Sequence, residues 1–188
     1  MKPEEIAAML KSLFGGNAVS LLEDGSWQVE TGEFRLIVLL SQDYSWLRIL
    51  LPLMPLQEAL PFLEQLLEAN FDETQEVRYA IQENVLWGVY QHTTETLVSS
   101  DFRNVISRMI NLHKIGLNEA FNKFIEIRIG QIIKAAKLQG QSMESTMQNL
   151  ERFYAEGLMG GMEQTSQGRE AVLNAWRYQL KRMWSEIN

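Results

Sequence analysis

Two neighbouring runs, Phe34 to Leu40 and Trp46 to Leu53, constrain this chain more than any other feature, because each is apolar on even and odd positions alike. A strand sends successive side chains to opposite faces, so a run that is greasy throughout needs cover on both of them. One layer of helices supplies one cover. Another subunit, a bound peptide or helices from the C-terminal part of the chain would supply the second.

The flanking sequence alternates helix and strand signals. Pro3 to Phe14 reads as a helix: Pro3 suits a first turn, Glu4 and Glu5 favour the positive end of the helix dipole, and Ile6, Met9, Leu10 and Leu13 form one stripe. Gly15-Gly16-Asn17 stops it. Ala18 to Glu23 and Ser26 to Thr31 read as strands about Asp24-Gly25, a pair that predicts a type I′ turn with positive φ at both positions. Pro52 and Pro55 close this region, and Leu56, Leu60, Leu63, Leu66 and Leu67 mark a helix with a core stripe, in which Pro61 starts a fresh turn. Asn70 to Glu76 is a polar loop. Val77 to Gln82 and Val85 to His92 then pair around Glu83-Asn84, with Gly88 marking a bulge or the close approach of another backbone.

Ser99 or Ser100 caps the next helix, whose stripe is Phe102, Val105, Ile106, Met109 and Leu112. Gly116 ends or kinks it, and Asn118 restarts a helix to about Leu138. Gly140 to Ser142 is a linker. Met143, Met147, Leu150 and Tyr154 mark a further helix that stops at a hinge near Gly157 to Gly161, and a last one from about Gly168 carries Val172, Leu173, Trp176, Leu180, Met183 and Trp184.

Bulk numbers exclude several classes. The 188 residues, 46% hydrophobic and 22% charged, suit one globular domain, or one domain with an appendage. There is no cysteine, hence no disulfide framework. The longest greasy run, Leu36 to Leu56, is broken by Ser41, Gln42, Asp43, Arg48, Pro52 and Pro55, so no membrane span is expected. Met1-Lys2-Pro3-Glu4-Glu5 lacks a signal peptide's pattern, and a cytoplasmic location is expected. Residues 1–100 carry 5 basic and 15 acidic side chains, whereas residues 101–188 carry 12 and 9. An acidic body argues against nucleic acid as a partner. The asymmetry fits solvated helix faces, a basic partner, or self-association through opposite halves.

Catalytic chemistry finds no foothold. His92 and His113 lie on separate elements, without the spacing or companions of a zinc site. Asp72, Glu73 and Glu76 lack a calcium loop's ligand spacing, and the glycines at 157, 160 and 161 lack the following Lys-Ser or Lys-Thr of a phosphate cradle. No enzyme activity, catalytic residue, cofactor or metal is expected. Adaptable methionines and anchoring tryptophans single out Trp46, Trp87, Met143, Met147, Trp176, Met183 and Trp184 as candidate partner-binding residues. For the C-terminal stripe the competing reading is that it covers the domain's own sheet.

The stretch Phe62-Leu63-Glu64-Gln65-Leu66-Leu67-Glu68-Ala69-Asn70-Phe71, followed by a hairpin and then by Leu97 and Asp101-Phe102, resembles class I type III secretion chaperones and the related YbjN-type proteins. Uncharacterised cyanobacterial proteins with this fold look most similar. In these families a leucine-leucine-x-alanine-asparagine helix end, here Leu66 to Asn70, precedes a hairpin. The resemblance covers about residues 1 to 135 and implies an α+β fold, a twisted antiparallel five-stranded sheet flanked by helices in the order α-β-β-β-α-β-β-α. It delimits a secretion-chaperone-like domain at residues 1–138, with a C-terminal helical extension at 139–188 packing on it or on a partner. The activity implied is non-enzymatic: a homodimer holding a client protein segment without ATP. The alternative expectation is a structural or regulatory protein whose C-terminal helices cover its own sheet.

Overall fold

The computed structural model describes residues 1–155 and 166–187. The chain is α+β, and its packing divides it into two units, Met1–Ala120 and Phe121–Asn188.

Unit 1 begins with α1 (Pro3–Phe14), where the Lys2 amide donates to the Glu5 carboxylate at 2.7 Å. Its strands are β1 (Val19–Glu23), β2 (Ser26–Glu30), β3 (Arg35–Leu40), β4 (Trp46–Pro55), β5 (Arg78–Gln82) and β6 (Val85–Thr93). They form one antiparallel sheet in the order β1-β2-β3-β4-β6-β5. The sheet thus has six strands where five were expected, because each apolar run ahead of Leu56 is bounded by its own turn and pairs separately.

The turns correct one expectation and bear out another. Asp24-Gly25 is not a type I′ turn: of the two, only Gly25 has positive φ, 76°, and the β1–β2 register slips between Leu21 and Glu23. Glu83 and Asn84, with φ of 50° and 61°, are the pair that both enter the left-handed region a type I′ hairpin requires.

Between β4 and β5 run α2 (Leu56–Ala59), a 3₁₀ turn at Leu60–Phe62 containing Pro61, and α3 (Leu63–Asp72), which extends into the expected loop. Asn70 ends α3 against the outer edge of β5. Its Nδ2 donates to the Tyr79 carbonyl at 3.1 Å, and its Oδ1 accepts from the Tyr79 amide at 2.8 Å. One side-chain amide therefore stands where a neighbouring strand would be, satisfying the outward carbonyl and amide of Tyr79. Asn70→Asp would set a carboxylate against that carbonyl, and a loss of about 1–3 kcal/mol in urea unfolding is expected. A loss within experimental error would show that the edge is indifferent to its cap.

α4 (Ser99–Asn111) has Val98 at its N-cap without a side-chain cap; Ser99 and Ser100 lie inside the first turn rather than capping it. A π-turn, Leu112–Gly116, joins it to α5 (Leu117–Leu138), so Gly116 marks a widening of a continuous helix. The reason is packing, since a Cβ there would strike the Tyr79 hydroxyl. Burial, then the charges of Glu119 and Glu73, push that phenol far up. Gly88 serves the same end: a Cβ would meet Leu112 Cδ2 at 3.0 Å, so the close approach is by a side chain of the helical layer, not by a backbone. Ile6 and Leu10 of α1, and Phe102, Ile106 and Met109 of α4, are buried with Leu36, Val38, Leu47 and Ile49 of the sheet.

Unit 2 contains the later part of α5, α6 (Met143–Ala155) and α7 (Ser166–Met183). Ser142 starts α6, its Oγ accepting from the Ser145 amide at 3.2 Å. Ile125, Ile129 and Ile133 recur every four residues along α5 and share a core with Leu150, Trp176 and Leu180. The expected hinge at Gly157 to Gly161 lies outside the described residues. Among the described residues no helix is long and apolar enough to cross a membrane.

Candidate protein-binding face

The two faces of the sheet receive unequal cover within unit 1. On one face Leu36, Val38, Leu47, Ile49 and Leu51 have no exposed area at all. On the other, Ser26 is buried and every other strand side chain is half-buried or exposed. The apolar alternation at even and odd positions is real in β3 and β4, but the helical layer formed by α1 and α4 hides only one set.

Strand register builds the open face row by row. Gln28, Ile37, Leu50, Val89 and Arg78 line up across five strands, giving an apolar centre with polar ends. The next row runs Ser26, Leu39, Arg48 and Gln91. In the amide orientation that satisfies both groups, Gln91 Oε1 accepts from Arg48 Nε at 3.0 Å and Nη2 at 3.2 Å. On the opposite side of the centre, Pro52, Trp87 and Ala80 make a shorter row. Trp87 lies half-buried with its Nε1 donating to the Gln82 carbonyl at 3.2 Å, leaving the ring as apolar surface. Arg35 and Glu30, 2.7 Å apart, close one corner, and the guanidinium holds the Glu30 carboxyl below its usual range.

Trp46 lies on the same face at the far end of β4, 38% exposed and paired with Thr93. Pro52, the cross-strand partner of Trp87, lies six residue steps along β4, so the two tryptophans stand roughly 20 Å apart along the strand direction. The turn ahead of it is firmly tied. Asp43 accepts from Ser41 Oγ at 2.6 Å and from the Ser45 amide and hydroxyl at 3.1 and 2.8 Å, bonds that pull its carboxyl down to about 2. The Trp46 amide donates to Ser41 Oγ at 3.0 Å, so the same turn sets the tryptophan's backbone.

The remaining predicted site residues sit together in unit 2. Trp176 is 4% exposed inside the core, and Met143, Met147, Met183 and Trp184 are half-buried against it. Lys137 Nζ lies 5.5 Å from the Trp184 ring centroid, a cation–π contact. The apolar stripes of these helices turn toward each other, and the side chains expected as partner anchors pack in or around the unit's own core. His92 stacks on Tyr90 at 5.9 Å, and His113 meets Phe34 edge-on while its Nε2 lies 3.2 Å from the Glu33 carbonyl. Among the described residues no group of three or more histidines and carboxylates is placed to hold a metal.

Sequence reasoning missed a second exposed apolar row. Leu60 and Leu67, expected in the core stripe of the helix after β4, are 48% and 58% exposed, and Phe71 is 90% exposed. Leu66, as expected, fills the buried face, together with Phe62 and Ala69. The signal was present: a helix this short with leucines on more than one face cannot bury them all against a single sheet edge.

No family model matches the chain, and no curated protein matches it. Among solved structures it is similar to a chain of the ExsC-ExsE complex, with a TM-score of 0.48 and 14% identity over 62% of this chain and 93% of that one. It is also similar to a chain of the HopA1-SchA chaperone-effector complex, with a TM-score of 0.46 and 10% identity over 63% of this chain and 98% of that one.

Proposed function

We propose that this protein is a non-enzymatic protein-binding module that acts as a homodimer and holds a segment of another protein, without ATP, on the open face of its sheet. The observation that carries the reading is the row Ile37, Leu50 and Val89, apolar across three strands and left half-exposed by the helices of its own unit. Such a face gains by taking up an apolar segment, while Arg48, Gln91 and Arg78 supply polar groups at its margin.

The homodimer is supported by the contrast between the two sheet edges. The edge at β5 is capped by Asn70. The edge at β1 carries Leu21 and Leu22, 66% and 54% exposed, with no proline or lysine to discourage pairing. Antiparallel pairing of β1 with its copy across a two-fold axis would satisfy that edge and join two open faces into one platform.

The test uses the full chain against a thermally unfolded reporter enzyme, with light scattering as the readout and no nucleotide present. Suppression of aggregation is expected, reduced about tenfold in potency by Leu50→Arg, which puts a charge at the centre of the face. Sedimentation should show a dimer that Leu21→Lys with Leu22→Lys converts to monomer. A wild-type chain that leaves the reporter's aggregation unchanged would overturn the holding function, and a strictly monomeric wild type would overturn the dimer.

A further inference from the structure

Strand register brings Glu23, Glu30, Arg35, Arg48 and Arg78 to the open side of the sheet. Glu30 and Arg35 are paired with each other at 2.7 Å. Arg78 turns back on its own loop, its Nη1 donating to the Val77 carbonyl at 2.8 Å and to Thr74 Oγ1 at 3.3 Å. Glu23 shares the row of Arg48 but sits on the edge strand β1, three strand spacings or roughly 14 Å away. Asp43, the acid nearest to Arg48 in sequence, is tied to Ser41 and Ser45. Among the described residues Arg48 therefore has no carboxylate partner. It stands on an interior strand, between Leu39 and Gln91 and two residues from Leu50.

Its guanidinium is half engaged. Gln91 Oε1 takes Nε and one Nη2 hydrogen, a side-on grip that leaves the Nη1–Nη2 end with its parallel donors. That end matches a carboxylate bidentately. A segment covering the Ile37–Leu50–Val89 row would strip water from Arg48, and burying an uncompensated cation is costly. A segment that brings its own carboxylate avoids that cost, so one arginine rejects the first class and admits the second. The form of the segment follows from where it lies. No strand edge offers hydrogen bonds on the face of a sheet, so a helix, which satisfies its own backbone, is the suitable occupant. Arg48 and Leu50 are roughly 7 Å apart along β4, close to the rise of about 6 Å between helix positions i and i+4, which share one side of a helix. We infer that Arg48 selects, for the open face, an amphipathic helix of another protein with an aspartate or glutamate four residues from the apolar side chain that rests on Leu50. The inference rests on the sheet-face reading above and adds the charge that the bound segment must carry.

The probes are three synthetic leucine–glutamine helices of roughly five turns, identical except for glutamate, glutamine or lysine four residues from the central leucine. The chain's net charge of −7 would by itself favour the lysine peptide, so selection by Arg48 reverses the order that bulk attraction would give. Fluorescence anisotropy with the full chain should show the glutamate peptide binding about tenfold more tightly than the glutamine peptide, and the lysine peptide most weakly. Arg48→Gln should erase the difference between glutamate and glutamine, and Arg48→Glu should move the preference to lysine. Arg48 is exposed, so both variants should fold, as circular dichroism would check. Equal binding of the glutamate and glutamine peptides, lost on Leu50→Arg, would overturn the inference and leave the face as a docking surface. Binding of no peptide would overturn the inference and the docking face together. A glutamate preference that survives Arg48→Gln would assign the selection to another cation and overturn the inference. So would a dimer that Leu50→Arg dissociates, because a second copy would then be the occupant.

Discussion

Phe102→Ala is expected to destabilise unit 1 by about 3–5 kcal/mol, the range for emptying a buried aromatic site. Phe102 has no exposed area, lies in the first turn of α4, and its amide donates to the Val98 carbonyl at 3.1 Å. It cannot be compensated by solvent, and a close-packed interior relaxes only partly around an emptied site. Urea unfolding monitored by circular dichroism would measure it. A change below about 1 kcal/mol would mean that α4 is not what closes the covered face. The consequence for function is direct, since the asymmetry between the two faces exists only while α4 is seated on one of them.

Trp176 should separate interior from interface in the second unit. If its ring is structural, Trp176→Ala costs about 3–5 kcal/mol, whereas Trp176→Phe costs less than about 1.5 kcal/mol. The contrast arises because the indole Nε1 is buried without a hydrogen-bond partner among the described residues, a polar group whose removal relieves a desolvation penalty while most of the ring volume is kept. A partner-anchoring tryptophan would behave in the opposite way: both variants would leave stability near wild type and weaken binding. Thermal unfolding of the full chain followed by near-ultraviolet circular dichroism distinguishes the outcomes.

Long amphipathic segments and alternating strands were legible from residue pattern alone. The stripe Phe102, Val105, Ile106 and Met109 is buried as read, and the two-faced apolar character of β3 and β4 is visible in the residue pattern. Turn geometry was not legible. Asp24-Gly25 carries the stronger local signal for a type I′ turn, yet a register slip in β1 absorbs the connection, while Glu83-Asn84 takes the left-handed pair under tertiary constraint. Glycine roles depended on neighbours distant in sequence: Gly116 and Gly88 answer to Tyr79 and Leu112. The C-terminal methionines and tryptophans show a related limit of pattern. Periodicity reports that a stripe will be buried but not against what, and here the isoleucines of α5 supply the other half. The exposed row on α3 was hidden by its own composition, because leucine at helical spacing reads as core until one asks which sheet surface remains to receive it.

The asparagine that closes the helix-end signature has a consequence for assembly size. Its carboxamide occupies the outward amide and carbonyl of Tyr79, and the preceding outward amide, that of Val77, already donates to the Thr74 carbonyl at 3.2 Å. Strand-by-strand growth into a fibre needs two receptive ends on every subunit, one to add and one to be added to. On the proposed pairing through β1, a protomer stoppered at Tyr79 would halt at a closed pair instead of adding strands without end.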